Sequence, residues 1–302
     1  MTKKLLALGL SLTMALSLAA CGGNSGSSAS GSSSNTDAST SQADASASTG
    51  DGSAAAGDYG DFASSLVEEG KLIMSTNAQF PPYEMVADGE GFNGTGFEGI
   101  DIEIASAIAD KLGLELVIDD MEFDSALLAV QNNAADVMLA GLSYSEERDE
   151  VLDFSESYAT GIQSVIVKED SEFKTIDDLV NAEMIGTQRG TTGFIYASDT
   201  PENGGYGEEH VTGYDNGATA VQELINGTID AVIIDNAPAQ EYVSANADAG
   251  LTILDGAWVE EQYCAAVDEG NEALLNAINT ALNELIEDGT VQTIIDKYIT
   301  AD

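Results

Sequence analysis

Basic side chains are scarce in this chain. Its 302 residues include 9 Lys and Arg against 53 Asp and Glu, which gives a formal net charge of −44 at pH 7. The arginines are Arg148 and Arg189, and His210 is the one histidine. The negative charge excludes nucleic acid and anionic lipid surfaces as partners. A single histidine excludes most zinc sites and argues against a Ser-His-Asp or Cys-His nucleophile, so we predict a protein that is not an enzyme and carries no metal or cofactor.

Cysteine is almost absent too, and one of the two copies stands near the start. Cys21 ends the segment LAAC, which follows Lys3, Lys4 and an apolar run from Leu5 to Ala20. The run is short for a bilayer span but has the length of a secretory signal. LAAC resembles the lipobox of bacterial lipoproteins, in which the cysteine is lipidated after cleavage; an ordinary signal peptide with a chance cysteine is the alternative. We predict a signal peptide over residues 1–20, lipidation of Cys21, and a place on the outer face of the cytoplasmic membrane, on the extracellular side.

Apolar side chains larger than alanine are missing from Gly22 to Gly57. Such a segment cannot bury enough surface to offset the entropy of ordering it, so we predict a flexible tether over residues 21–64. At about 5 to 6 Å times the square root of its length, the tether reaches about 35 Å. The rest of the chain has no second apolar run long enough to span a bilayer, and it is large enough for two lobes.

The order of elements after residue 70 predicts an α/β fold. Apolar strands are expected at Lys71–Asn77, Leu114–Ile118 and Asp136–Leu142. They alternate with two amphipathic helices, which Asp101 and Asp124 are expected to cap. Strands that alternate with helices form parallel sheets with right-handed crossovers.

A second unit of the same kind follows Gly161. Its expected strands are at residues 164–167, 184–188, 210–214 and 230–235, and Thr175 with Asp178 forms a capping box before a short helix. The chain closes with a strand at 263–267 and helices at 272–287 and 291–299. Two such units predict two lobes, residues 65–162 plus 260–302 and residues 163–259, connected by chain crossings near Ile162 and Val259.

Polar and aromatic residues follow the predicted strands at their carboxyl ends, where open α/β lobes bind ligands. The candidates are Asn77, Phe80, Phe123, Gly141, Ser143, Arg148, Gln188, Thr191, Thr192 and Asp235. Arg148 offers a planar fork of donors to a carboxylate, and the helix start near Thr191 offers a second anion site. Asp235 offers a carboxylate to a cation. These groups together would suit a free amino acid: the guanidinium would bind its carboxylate, the carboxylate its ammonium group, and the aromatic faces its side chain.

Each candidate also has an ordinary structural interpretation. Arg148 follows two glutamates and could form only surface pairs. Phe80 and Phe123 could be core residues, and Asp235 could cap a helix. None of these residues carries a function alone.

Seven segments, in order, resemble one known family. They are FPPYE (80–84), GIDIEIASAIADKLG (99–113), FDSALLAV (123–130), DVMLAGLSYSEER (136–148), LDFSESY (152–158), GTQRGTT (186–192) and DAVIID (230–235). They resemble the bacterial ABC-transporter extracellular solute-binding proteins of family three, the polar amino-acid receptors, here in lipoprotein form. The resemblance implies a periplasmic-binding-protein-like fold with two α/β lobes, a two-strand hinge and a ligand cleft. It also implies a monomer that delivers a free amino acid to an ABC permease in the membrane.

The resemblance further implies a role for each residue that would meet the ligand backbone. Arg148 and the backbone of Ser143 and Thr192 would hold the ligand carboxylate, with the Ser143 hydroxyl assisting. Asp235 and the carbonyl of Gly141 would hold the ammonium group.

The side chain of the ligand would meet four other residues. Phe80 and Phe123 would stack on it, while Asn77 and Gln188 would face its polar end. Several relatives that take up lysine, arginine or histidine carry an acid where this chain has Asn77. The pair therefore favours an uncharged polar ligand such as glutamine.

Two alternatives about charge remain open in the sequence. Glu84, Glu98 or Glu122 could reach the pocket and favour a cationic ligand. Arg189 could be exposed at the hinge face, or it could be a second anchor for an acidic side chain. Two other functions also remain: a cyclohexadienyl-acid dehydratase on the same fold, and a sensing module that reports ligand state to a receptor.

Overall fold

The computed structural model describes residues 58–299, so the predicted signal peptide, Cys21 and the tether up to residue 57 lie outside the described residues. The strands are β1 Lys71–Thr76, β2 Gln79–Phe80, β3 Glu84–Val86, β4 Phe97–Glu98, β5 Glu115–Asp120, β6 Val137–Met138, β7 Leu152–Lys168, β8 Ile185–Gln188, β9 Val211–Tyr214, β10 Ala231–Asp235, β11 Leu251–Ile253 and β12 Val259–Asp268. The helices are α1 Ile100–Leu112, α2 Phe123–Gln131, α3 Thr192–Ser198, α4 Gly217–Asn226, α5 Asn236–Ala245, α6 Glu272–Glu287 and α7 Thr290–Tyr298. Within 58–299, no helix has both the length and the apolar character of a membrane span.

Nine strands form one curled sheet in the order β5-β1-β6-β12-β7-β10-β8-β9, with β11 paired to β7. Strands β5, β1 and β6 are mutually parallel, and so are β10, β8 and β9. Between these two groups, β7 and β12 pair antiparallel with each other, and Ile162 lies opposite Glu260. The predicted α/β fold is confirmed, and each predicted unit has its parallel group of strands. The two groups were expected in separate sheets, but β7 and β12 join them into one mixed sheet. The exact lobe boundaries stay a prediction.

Apolar helix faces cover the sheet. Helix α1 buries Ile104, Ala105 and Ile108 at helical spacing, and α6 buries Leu274 and Ile278 one turn apart. The described part of the predicted tether also contacts this core, since Phe62 is buried and the Tyr59 hydroxyl donates to Glu284.

The predicted caps at Asp101 and Asp124 are wrong. Helix α1 begins at Ile100 after Gly99, and α2 begins at Phe123, so both aspartates lie within the first turn. The Asp101 carboxylate instead accepts hydrogen bonds from the Gly141 N–H (2.7 Å) and from the Tyr158 hydroxyl (2.8 Å). A buried carboxylate needs such donors, and they come from parts of the chain distant in sequence.

The third predicted strand is also shorter than expected, because only Val137–Met138 pairs in the sheet. The chain leaves strand geometry before Gly141, whose φ of 52° is in the left-handed region that favours glycine. The segment from 139 to 142 therefore lies outside the strands. By contrast, the capping box of Thr175 and Asp178 is confirmed, although the helix it begins is a short 3-10 helix.

Candidate functional site

A cavity lies where the strand ends meet. All ten residues predicted from the sequence line it: Asn77, Phe80, Phe123, Gly141, Ser143, Arg148, Gln188, Thr191, Thr192 and Asp235. The lining is completed by Glu84, Ala140, Gln163, Ile233 and Ile234.

Arg148 is buried, with 7% of its surface exposed. Its Nη1 donates to the carbonyl of Ser143 at 2.7 Å and its Nη2 to the carbonyl of Gly190 at 2.9 Å. The guanidinium carbon lies 5.6 Å from the centre of the Phe123 ring, which is the geometry of a cation–π contact. Burial lowers the pKa of Arg148, and the nearby charge of Glu261 opposes that shift.

The side chain of Arg148 does not form the surface pairs that its neighbours in sequence allowed. Among the described residues, no carboxylate oxygen lies within 4.0 Å of its guanidinium nitrogens. Two carbonyl contacts leave part of its donor fork unused. The structure therefore places an available cation at the cavity wall.

Asp235 provides the opposite charge. It occupies the N-cap position of α5, yet its side chain makes no capping hydrogen bond. It accepts instead from the Tyr263 hydroxyl and from Nε2 of Gln163, the latter at 2.8 Å. Burial raises the pKa of Asp235 to about 7, the hydrogen bond from Tyr263 opposes the rise, and the charge of Glu261 adds to it.

Phe80 and Gly141 fit closely against each other. A Cβ atom at Gly141 would lie 2.6 Å from Cε1 of Phe80, far inside van der Waals contact. The N–H of Gly141 is held by Asp101, as described above. Only glycine fits here, because its φ is positive and the ring lies against its Cα.

Asn77 and Gln188 meet at the ends of β1 and β8. Nε2 of Gln188 donates to Oδ1 of Asn77 at 2.9 Å, and Nδ2 of Asn77 donates to the carbonyl of Met121 at 2.8 Å. Both amides are buried, so these bonds fix their orientation. The hydrogen bond between Gln188 and Asn77 thereby holds both side chains in place at the cavity.

Thr191 and Thr192 form the start of α3. The Thr191 Oγ1 accepts from Phe194 N at 3.3 Å and so caps the helix. The hydroxyl of Thr192 donates to Oε2 of Glu261 at 2.9 Å. The N–H of Thr192 is in the first turn, where no intrahelical acceptor exists.

Glu84 is the one of the three suggested glutamates that lines the cavity. It is fully buried, and neither carboxylate oxygen has a hydrogen-bond partner. Burial and the adjacent charge of Asp101 raise the pKa of Glu84 well above its ordinary value. A cation or a hydrogen-bond donor beside Glu84 would oppose that rise in its pKa.

Gln163 and Glu261 were not among the site residues predicted from the sequence. Both are buried, on β7 and β12 respectively. The last strand was predicted at 263–267, but it begins at Val259. Because side chains alternate between the two faces of a strand, a prediction that began at Val259 would have placed Glu261 on the same face as Tyr263.

Arg189 is not part of the cavity lining. Its Nη1 donates to Oδ1 of Asp215 at 2.8 Å and its Nη2 to the carbonyl of Gly213 at 2.9 Å. The side chain is 54% exposed. Of the two alternatives for Arg189, the structure supports the exposed one.

Three comparisons with known proteins agree on one family. Bacterial extracellular solute-binding proteins, family 3, match residues 72–301. The arginine-binding extracellular protein ArtP of Bacillus subtilis (strain 168) is 31% identical over 233 residues, covering 77% of this chain and 87% of that protein. Two solved structures of ancestral arginine-binding proteins, one bound to arginine and one to glutamine, are 37% and 36% identical with a TM-score of 0.69 each. They cover 76% and 78% of this chain, and 99% and 100% of their own.

Proposed function

Because the chain belongs to the bacterial extracellular solute-binding proteins of family 3, we propose that it binds a free polar amino acid and delivers it to an ABC importer. Relatives in this family bind amino acids and work with ABC transporters. The observation that carries the proposal is a cavity that has the guanidinium of Arg148 and the carboxyl group of Asp235 in its lining.

The two charged groups suit the two ends of a zwitterion. The free donors of Arg148, together with the N–H groups of Ser143 and Thr192, bind the ligand carboxylate. Asp235 and the carbonyl of Gly141 bind the ammonium group. Because the site is buried, both contacts are stronger than they would be in water.

Two kinds of ligand side chain fit the cavity, an uncharged amide and a basic group. Asn77 and Gln188 suit an amide such as glutamine, which offers both a donor and an acceptor. Glu84 supports a basic side chain such as arginine, because a guanidinium brings donors to its two unpartnered oxygens. Phe80 and Phe123 offer apolar faces to either.

Calorimetry of the purified protein against the twenty amino acids tests the proposal. We expect arginine or glutamine to bind tightest, at micromolar or lower Kd, and most apolar amino acids to bind weakly. If no amino acid binds more tightly than about 1 mM, the proposal fails. Incubation with prephenate or arogenate tests the enzymatic alternative, and we expect no change in substrate absorbance.

The lipid anchor is part of the same proposal. Anchoring at Cys21 would keep the receptor near its permease, on the extracellular side of the cytoplasmic membrane. Metabolic labelling with a radioactive fatty acid is expected to label the full chain and to leave Cys21→Ser unlabelled. Label in both proteins would mean that the acyl chain is attached elsewhere.

A further inference from the structure

Glu261 lies behind the wall of the cavity. It is buried on β12, and among the described residues it is not one of those that line the cavity. Its Oε2 accepts hydrogen bonds from the Ser143 hydroxyl at 3.0 Å, the Thr192 hydroxyl at 2.9 Å and Nε2 of Gln163 at 3.0 Å. These three donors all line the cavity, and they come from three separate parts of the chain. One carboxylate thus sets the direction of three polar side chains.

That direction determines what the two hydroxyls can offer to a ligand. A hydroxyl has one hydrogen, and a carboxylate accepts but does not donate. Since Ser143 and Thr192 both give their hydrogen to Glu261, they have only lone pairs left for the cavity. Each hydroxyl is therefore an acceptor toward the ligand.

Gln163 follows the same rule. Its Nε2 donates to Glu261 and also to Oδ2 of Asp235 at 2.8 Å, so both amide hydrogens are used. The nitrogen faces these two groups when both are ionised, because a carboxylate only accepts and an amide oxygen cannot donate. The remaining polar atom, Oε1, is an acceptor and is buried with no partner.

A wall of acceptors suits a group that only donates. An ammonium group has three hydrogens and no lone pair, whereas a carboxylate has lone pairs only. We infer that Glu261 is a positioning residue, which turns the hydroxyls of Ser143 and Thr192 into acceptors for the ammonium group of the bound amino acid. This inference rests on the proposed function and changes one detail of it. The Ser143 hydroxyl serves the ammonium end, and the ligand carboxylate is left to Arg148 and backbone N–H groups.

The role requires a carboxylate at position 261. Glutamine with its carbonyl oxygen at the Oε2 position would leave its NH₂ group at the Oε1 position, which is buried and has no hydrogen-bond partner. Because a buried, unsatisfied donor is unfavourable, the NH₂ group should lie among the hydroxyls, which then turn their hydrogens toward the cavity. Some of the acceptors would become donors and would repel an ammonium group. Glu261→Gln should therefore weaken recognition of the ammonium end without affecting the rest of the ligand.

The test compares each amino acid with an analogue that lacks only the ammonium group. The ligand pairs are arginine with 5-guanidinopentanoate and glutamine with glutaramate. The full chain is titrated by calorimetry, with competition against the amino acid where an analogue binds weakly. Glu260→Gln is the matched control, because Glu260 is the neighbouring residue on the same strand and is exposed.

We expect Glu261→Gln to reduce affinity for the amino acid about ten- to hundred-fold, as for a lost hydrogen bond to a charged group. Affinity for the analogue should change by less than about three-fold, and Glu260→Gln should change neither. An equal loss for both ligands, in a variant that melts as the wild type does, would make Glu261 merely structural and overturn the inference. Unchanged affinity for the amino acid would overturn it as well.

A second variant covers the case in which Glu261→Gln does not fold. Thr192→Val keeps the volume and removes one of the acceptors, so it should lose affinity for the amino acid selectively. Equal loss for amino acid and analogue in this variant also overturns the inference. If the wild-type protein binds no amino acid at all, the proposed function fails first, and the inference falls with it.

Discussion

Arg148 is joined to Gly190 by a hydrogen bond from its Nη2 to the glycine carbonyl, at 2.9 Å. Its Nη1 bonds to the carbonyl of Ser143 at 2.7 Å. The guanidinium therefore links the segment after β6 to the segment after β8, in addition to offering charge to the cavity. A lysine could supply the charge, but its single nitrogen could not maintain this fork.

Substitution of Arg148 should weaken ligand binding severely. Arg148→Ala leaves the carboxylate of the bound ligand buried without its charged partner. The loss of that partner costs about 3 to 5 kcal/mol of binding free energy. Arg148→Lys should recover only part of that loss. Calorimetry with the best-binding amino acid provides the measurement.

Arg189→Ala is the control for Arg148, since Arg189 is the other arginine of the sequence and its pair with Asp215 is largely exposed. Its removal should cost no more than about 1 kcal/mol of stability and leave affinity unchanged. Similar losses of affinity in both variants would show that general charge, and not the placement of Arg148, determines binding.

Substitution of Gly141 should affect the ligand through Phe80. In Gly141→Ala the new Cβ would lie 2.6 Å from Cε1 of Phe80, so the ring must move. We expect at least a ten-fold loss of affinity, together with a lower melting temperature from the positive φ.

Gly113→Ala is the control that separates the strain of a positive φ from the contact with Phe80. Gly113 has a φ of 71°, and a Cβ there would meet no atom within 4 Å. It should lower the melting temperature to a similar degree and leave affinity intact. If Gly141→Ala binds ligand as Gly113→Ala does, the contact with Phe80 has no role in binding.

Local patterns predicted the elements well and the long-range partners poorly. Helix α6, Glu272–Glu287, has the predicted bounds, because an amphipathic face and an asparagine cap are visible over a few residues. Asp101 looked equally like a cap. Its actual partner, the N–H of Gly141, is distant in sequence, and no local pattern contains that information.

The candidate site followed from strand ends, with some exceptions. Strand ends and aromatic or charged side chains were enough to name ten residues of the cavity lining. Glu84 follows no strand that the sequence could predict, since β2 and β3 are very short. Gln163 lies within β7 and not at its end, so a rule based on strand ends passes over it.

The stability of the ligand-free protein should fall as pH rises from about 4 to about 7. Burial raises the pKa of Asp235 to about 7 and that of Asp101 to about 6. Unfolded aspartate titrates near 3.9, so in this window the folded state binds more protons than the unfolded state. The free energy of unfolding therefore decreases with pH, by as much as about 4 kcal/mol for Asp235 alone.

Asp235→Asn should flatten that dependence. Denaturant titrations at several pH values provide the measurement, and the wild type is the reference. Tyr263, Glu261 and Glu84 face Asp235 and remain in both proteins, as does the repulsion among surface carboxylates. The difference in slope therefore reports Asp235 together with its effect on the pKa of Glu84. Equal slopes would mean that Asp235 is ionised in the folded protein throughout this range.

Glu84→Gln should distinguish the two candidate side chains of the ligand. If the ligand is arginine, loss of the Glu84 carboxylate should reduce affinity about ten- to hundred-fold, because the guanidinium loses a charged partner. If the ligand is glutamine, the change should be small, since an amide at position 84 can still donate and accept. Glu98→Gln is the control, because Glu98 does not line the cavity.

Arginine that binds tightly and equally well to the wild type and to Glu84→Gln would show that Glu84 does not contact the guanidinium. Glu84 would then serve the fold alone, and the basic side chain would have to be recognised by Asn77 and Gln188.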